Sequence, residues 1–396
     1  MSTLIVSRAA TIPDQRRINR YRRTPELGPQ VLFFSGGSAL HGLSQQIRLY
    51  THNSVHLVTP FDSGGSSAKL RQAFAMPAIG DLRHRMMALA DDSEIGHRAI
   101  YTLFSHRLPN DASPAALADE LKALCRGRHP LIAQVENPMR RLIRIQLAFF
   151  QEAMPPHFDL RRASIGNLIL AGGYLNNKEH LDPIVFLFSK LVGVRGTVRT
   201  VVNDHLHLCV GLEDGTQLVG QHRMSGKELA PLTSPIQTLC LSQHPDHLVP
   251  AQAVLQKGNR RMIQEADLIC YPPGSFYSSL LANLLPVGVA QAIANNRCPK
   301  VFVPSLGEDP ELLGRGVDKQ VKILLNTLFA GLKNEGKVEH LLQYVLLDRD
   351  RKWGGDKLHK RIRKAGVQVI ETPLTHPSRP HCYDPTLLAQ ALLSLT

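Results

Sequence analysis

The chain lacks any close pairing of cysteines: Cys125, Cys209, Cys240, Cys270, Cys298 and Cys382 are scattered, with no C-x-x-C spacing. Neither a zinc cluster nor a disulfide framework is indicated, and a reducing compartment fits best. Long apolar runs are missing too, since nothing approaches the roughly 18 to 20 residues that cross a bilayer. The N-terminus also lacks the charged, apolar and small-residue order of a signal peptide. A cytoplasmic protein is expected. There is no G-x-G-x-x-G and no G-x-x-x-x-G-K-[ST] segment, which disfavours dinucleotide sites of the usual pattern and Walker-type phosphate loops. Internal repeats, low-complexity tracts and glycine-serine linkers are absent as well. Aromatic residues are sparse around the basic clusters, where only Tyr21 and Trp353 stand, so a base-stacking platform for nucleic acid is not indicated.

What is present is a 396-residue chain, 43% hydrophobic and 20% charged, long enough to bury a large core. Its net charge of +13 attracts phosphates of any kind. The excess concentrates near the N-terminus, from Arg16 to Arg23, and between Arg349 and Lys364. The second cluster lies partly on an amphipathic helix, where a solvated basic face is the plain reading and a phosphate-bearing partner the alternative.

Residues 1–28 read as a polar, arginine-rich arm, and 29–396 as one α/β domain. Val31-Leu32-Phe33-Phe34 is a continuous apolar run, suited to a strand buried on both faces. Ser35-Gly36-Gly37-Ser38 follows, and Leu40, Leu43 and Ile47 then recur at helical spacing, with Ser38 placed to cap. Val55 to Thr59 repeats the strand, Gly64-Gly65-Ser66-Ser67 the loop, and a second helix begins near Lys69. Such β-loop-α units predict a Rossmann-like, mostly parallel sheet with its ligand at the strand C-terminal ends. Residues 84–160 predict an inserted helical subdomain. Period-two alternation across 194–222, turning at Asp214-Gly215, predicts a β-hairpin. Later strands are expected at Leu268–Tyr271, Val301–Val303, Val345–Leu347 and Val367–Ile370.

Four segments carry candidate chemistry. Glycines at Gly36 and Gly37 let the backbone approach a phosphate at a helix start, although a glycine pair also simply makes turns. Asp62 before Gly64 to Ser67 can hold a divalent cation or accept a proton, or merely form an Asx turn. Asp81, after Gly80, has the same two readings as site acid or capping acid. Gly274-Ser275, after the Leu268 strand, and Asn167, in Ser164-Ile165-Gly166-Asn167, complete the set. The histidine pairs His205-x-His207 and His244-x-x-His247 do not complete a metal ligand set.

In order and spacing these segments resemble the family of 2-phospho-L-lactate transferases and the related gluconeogenesis factors that bind a UDP-sugar. The resemblance runs from about Val31 to Leu393 and includes Gly80-Asp81-Leu82-Arg83, Leu212-Glu213-Asp214-Gly215-Thr216 and Ala266-Asp267-Leu268-Ile269. It implies a nucleoside diphosphate or nucleotide-sugar ligand lying along Ser35, Gly36, Gly37, Ser38, Gly64, Gly65, Ser66, Ser67, Arg83, Gly274 and Ser275. By the same match Asp62, Asp81 and Asn167 are the catalytic candidates, with magnesium at Asp62. The implied reaction passes a phosphoryl-containing group to a hydroxyl acceptor; the alternative is a nucleotide-binding regulator without chemistry. A homodimer is expected, with no membrane partner; a polyanion or nucleic-acid binder, resting on the basic N-terminal arm, ranks behind the two nucleotide readings. Two departures stand out. Asp62-Ser63 replaces the paired aspartates of the gluconeogenesis-factor branch, and Ala163 replaces the histidine of its His-Ser-Phe-Gly-Asn motif.

Overall fold

A computed structural model of the chain describes residues 9–91, 95–224, 226 and 231–396. Its centre is a parallel sheet of seven strands: β1 (Val31–Ser35), β2 (Val55–Val58), β3 (Thr197–Thr200), β4 (Leu268–Tyr271), β5 (Lys300–Phe302), β6 (Tyr344–Asp348) and β7 (Gln368–Thr372). In space they run 3-2-1-4-5-6-7, every neighbouring pair parallel. Strand order reverses between β1 and β4, so the connections leaving these adjacent strands part in opposite directions. A crevice opens at their C-terminal ends.

Both faces of the sheet are covered, which is why its central strands are apolar throughout. Val31, Phe33, Cys270 and Val301 face one core, packed against the helices between β2 and β3 and the C-terminal helix Pro385–Leu393. Leu32, Phe34, Ile269 and Phe302 face a second core, closed by the helices Lys257–Glu265, Val317–Gly331 and Gly355–Lys364. The last of these turns Leu358 and Ile362 inward and leaves its basic residues outside.

The helical insertion is longer than the sequence suggests. Among the described residues it comprises eight helices, from Gly65–Phe74 to Leu181–Leu191, and fills the whole β2-to-β3 connection. Asp92 to Glu94, within the expected 84–160 span, lie outside the described residues.

The expected hairpin needs a correction. Thr197–Thr200 belongs to the large sheet, paired with β2, while the antiparallel pair is His207–Leu212 with Gln217–Val219. An edge strand covered on one side alternates like a hairpin strand, and here only Val198 and Thr200 are buried. Ile236–Ser242 and Pro250–Ala251 extend the pair to a four-stranded antiparallel sheet. The N-terminal arm is described from residue 9, and residues 1–8 lie outside the described residues. Helix Gln15–Arg23 is capped by Asp14 and buries Ile18; Tyr21 meets Thr396 and the Asp14 amide meets Ser394.

Candidate functional site

The chain leaves β1 at Ser35 and turns at Gly36-Gly37 beside the segment that leaves β4. A carbon added at Gly36 would lie 2.3 Å from Ser279 Oγ, so only glycine lets the two loops meet. Ser38 does not cap a helix as expected, because residues 38–40 form a single 3₁₀ turn before helix His41–Ile47.

Beneath this turn lies Arg85, only 1% exposed. It donates to the carbonyls of Gly36 and Gly37, both at 3.0 Å, and to Ser44 Oγ at 2.6 Å. In a trans peptide the N–H points opposite the preceding carbonyl. Fixing those two carbonyls on Arg85 therefore turns the Gly37 and Ser38 amides the other way, toward the cavity both residues line. Burial lowers the Arg85 pKa to about 10, opposed by the charge of Asp81, so the guanidinium remains cationic at neutral pH. The turn thus joins outward amides to a cation held behind them.

The cavity has a volume of about 310 Å³. Ser35, Gly36, Gly37, Ser38, Asp62, Gly64, Asp81, Gly274 and Ser275 all line it. The Asp62 carboxylate accepts the Gly64 N–H at 3.1 Å, an Asx turn that aims the start of helix Gly65–Phe74. Asp81 sits in the first turn of helix Gly80–Leu89, with Oδ1 3.3 Å from where a Cβ on Gly37 would stand. Asp62 Oδ2 lies 3.7 Å from the equivalent point on Gly80, so both acids border the same short stretch of backbone.

Gly65, Ser66, Ser67, Arg83 and Asn167 do not line this cavity. Arg83 and Asn167, expected beside the phosphates, are buried and bonded to each other. Arg83 Nε donates to Asn167 Oδ1 at 2.8 Å, and Asn167 Nδ2 donates to Ser66 Oγ at 3.0 Å. Their effect on the cleft passes through His84, whose Nε2 lies 2.9 Å from Arg83 Nη2. An arginine can only donate, so His84 Nε2 accepts and the imidazole carries its proton on Nδ1. Burial, then the charges of Arg83, Arg107, His41 and Arg85, pushes the His84 pKa below the usual histidine range, keeping this cavity-lining ring neutral.

The β4 side is built differently. Gly274 N–H is taken by Ser305 Oγ at 2.9 Å and the Phe276 amide by Asp309 at 2.8 Å; Glu311 accepts the Tyr277 and Ser278 amides, each at 2.9 Å. The resemblance places Gly274 and Ser275 along the ligand's diphosphate, but the amides of the turn after them are filled by the protein's own carboxyl groups. Gly274 and Ser275 therefore shape the wall, while the backbone donors come from the β1 side.

Sequence reasoning missed Arg85, His84 and His222. Arg85 left one signal, its position four residues after Asp81 on a single helix face. His222 also lines the cavity and pairs with Ser63, Nδ1 to Oγ 2.8 Å. Their separation by 159 residues left no local pattern to read. Among the described residues, no helix is long and apolar enough to cross a membrane.

Comparison with known proteins agrees with this architecture. The gluconeogenesis factor of Bacillus subtilis is 27% identical over 71% of this chain and 69% of its own length. That of Halalkalibacterium halodurans is 26% identical over 69% and 65%. A relative from a Nostoc species is 26% identical over 72% of this chain, which spans only 48% of that longer protein. The crystal structure of a UPF0052 family member from Bacillus halodurans superposes with a TM-score of 0.67 at 20% identity, covering 92% of this chain and 99% of that one. The fold is shared. With the family model of 2-phospho-L-lactate transferase CofD matching residues 31–375, the chain belongs to the CofD family.

Proposed function

We propose that the cleft binds a nucleoside-diphosphate-linked substrate and transfers a phosphoryl-containing group from it to a hydroxyl acceptor. The observation that carries this reading is Arg85, which fixes the Gly36 and Gly37 carbonyls and so turns the Gly37 and Ser38 amides to the cavity. Amides of fixed direction at a switch point, with a cation behind them, suit a diphosphate. The acceptor oxygen bonds to phosphorus as the P–O bond to the departing nucleoside phosphate breaks, and a carboxylate of the Asp62 and Asp81 pair takes the hydroxyl proton.

Asp62 and Asp81 are also the residues that would hold magnesium, being hard oxygen donors on one stretch of wall. The ion would neutralise diphosphate charge. His84 remains a neutral hydrogen-bond donor at Nδ1.

Ser63 favours a second reading, in which a nucleotide-sugar is bound for regulation without chemistry. Its hydroxyl is engaged with His222, so the Asp62-Ser63 pair supplies one acid and not two.

A calorimetric and thermal-shift series with GDP, UDP and UDP-sugars, each with and without magnesium, tests the shared part. If none binds at millimolar concentration, both readings fail. Given binding, Asp62→Asn separates them: transfer predicts product from the wild type and none from the variant, with affinity largely kept. Regulation predicts no product from either.

A further inference from the structure

His106, Glu120 and His129 come from three segments of the helical insertion. His106 directly follows helix Ile95–Ser105, Glu120 lies within helix Pro114–Arg126, and His129 caps the short helix Pro130–Ala133. Among the described residues these three offer ligand atoms all within 4.8 Å of one another. Glu120 Oε1 stands 3.1 Å from His106 Nε2 and 3.6 Å from His129 Nε2. Zinc bonds of about 2.0 to 2.1 Å set neighbouring ligands of a tetrahedral ion roughly 3.4 Å apart. The two observed separations bracket that edge. The imidazole rings converge from different directions, 5.8 Å apart and tilted by 42°, and all three side chains are partly exposed, leaving room for a water.

We propose that His106, Glu120 and His129 form a structural site for a divalent transition ion of the zinc class, with water as fourth ligand. Two imidazoles and one carboxylate suit such an ion better than magnesium or calcium. The site ties together the segment that supports the cleft from behind. The His106 carbonyl accepts the Ile165 N–H at 2.9 Å, Arg107 bridges to Ser164, and Ile165 opens the helix that carries Asn167. An ion here would fix that strut without touching the reacting groups.

One contact competes. The Leu131 N–H donates to His129 Nδ1 at 3.2 Å, which keeps the proton of neutral His129 on Nε2. Metal at Nε2 moves that proton to Nδ1 and gives up the cap, lowering affinity about fivefold.

The test uses the full-length chain, stripped of metal with a chelator and titrated with Zn²⁺ against a chromophoric indicator. One equivalent is expected to bind with submicromolar affinity, and Tm to rise about 3 °C at a hundredfold excess over Kd. Glu120→Gln and His106→Asn should each weaken that equivalent by more than about tenfold, with near-UV circular dichroism verifying the fold. His244→Asn should leave it unchanged, although His244 and His247 stack at 3.8 Å and are another pair able to capture an ion. Co²⁺ gives an independent readout, a visible band of low-coordinate nitrogen-oxygen ligation that Glu120→Gln abolishes. No tight equivalent in the wild type, or one unchanged by both ligand substitutions, overturns the site and leaves a hydrogen-bonded cluster.

Discussion

Gly36→Ala tests how tightly the two sides of the switch point are joined. The added carbon would meet Ser279 Oγ at 2.3 Å, Ser279 Cβ at 2.5 Å and Ser279 Cα at 3.3 Å. Carbon atoms rest about 3.5 to 4.0 Å apart, so the loops must separate by about 1 Å. Gly36 is not in the left-handed region, so its conformation suits alanine and the cost is steric alone. Overpacking of this kind costs about 1 to 3 kcal/mol. An unfolding entropy of about 0.8 kcal/mol/K for a chain of this size turns 2 kcal/mol into a Tm loss of about 2 to 3 °C. Nucleoside diphosphate affinity should fall about tenfold, the equivalent of one charge-assisted hydrogen bond.

Ser279→Gly supplies the control. It removes both close atoms, yet the Ser279 backbone keeps its bonds to the Ser275 carbonyl and the Asn283 amide. Melting and calorimetry on both single variants and the double should therefore show coupling, with the double variant recovering most of the Gly36→Ala loss. A Gly36→Ala protein that melts and binds like wild type, or a double variant with no recovery, refutes the geometry.

Arg85→Met orphans the Gly36 and Gly37 carbonyls and should cost about 3 to 5 kcal/mol in urea unfolding; Arg85→Lys should recover less than half, since a single nitrogen cannot reach both Ser44 and the two carbonyls, which Arg85 serves from two. His56 is fully buried and stacked on Phe33 at 4.9 Å, and burial, then Arg85, holds its pKa well below 6.5. The unfolded chain takes up a proton below that pH that the folded chain refuses, so stability falls as pH drops; His56→Phe should gain more at pH 5 than at pH 8, and equal gains would count against this. Glu311 has the opposite sign: burial and then Asp309 push its pKa from 4.5 up to about 7, so the folded chain holds a proton that the unfolded one has lost. Stability should decline as pH rises through that window, and Glu311→Gln should abolish the decline; a wild-type slope in the variant would refute the assignment.

Features written in consecutive residues are legible in the sequence alone. Val31 to Phe34 reads as a strand buried on both faces, and the glycines after it mark the crevice. Asp62 and Asp81 can be found because each stands beside turn residues. Their neighbours across the fold cannot. His222 reaches Ser63 from the short turn that follows strand Gln217–Val219, and Glu311 reaches Tyr277 and Ser278 across a loop. Arg83 and Asn167 look like ligand contacts because motif position cannot show which way a side chain turns. Both turn inward, since helix Ile165–Asn176 packs Gly166 against Arg83 and leaves Asn167 facing the guanidinium. The edge strand β3 misleads for a simpler reason: burial on one face has the same period whether its neighbours are parallel or antiparallel.

The two walls of the cleft also differ in the sign of what stands behind them, and this orients any diphosphate that enters. On the β1 side a buried guanidinium backs the Gly37 and Ser38 amides. Across from it, Asp309 and Glu311 already cap the Phe276, Tyr277 and Ser278 amides. A phosphate there would have to displace one of these carboxyl groups from its amides, and on Asp309 it would meet like charge. The diphosphate of the proposed substrate should therefore follow the β1 turn toward Asp62 and Asp81. The uncharged face at Pro272, Pro273 and Leu280 remains for the nucleoside. Binding and selectivity then separate by wall: changes beneath Gly36 should weaken every nucleoside diphosphate alike, whereas changes at Pro273 should alter the preference among bases.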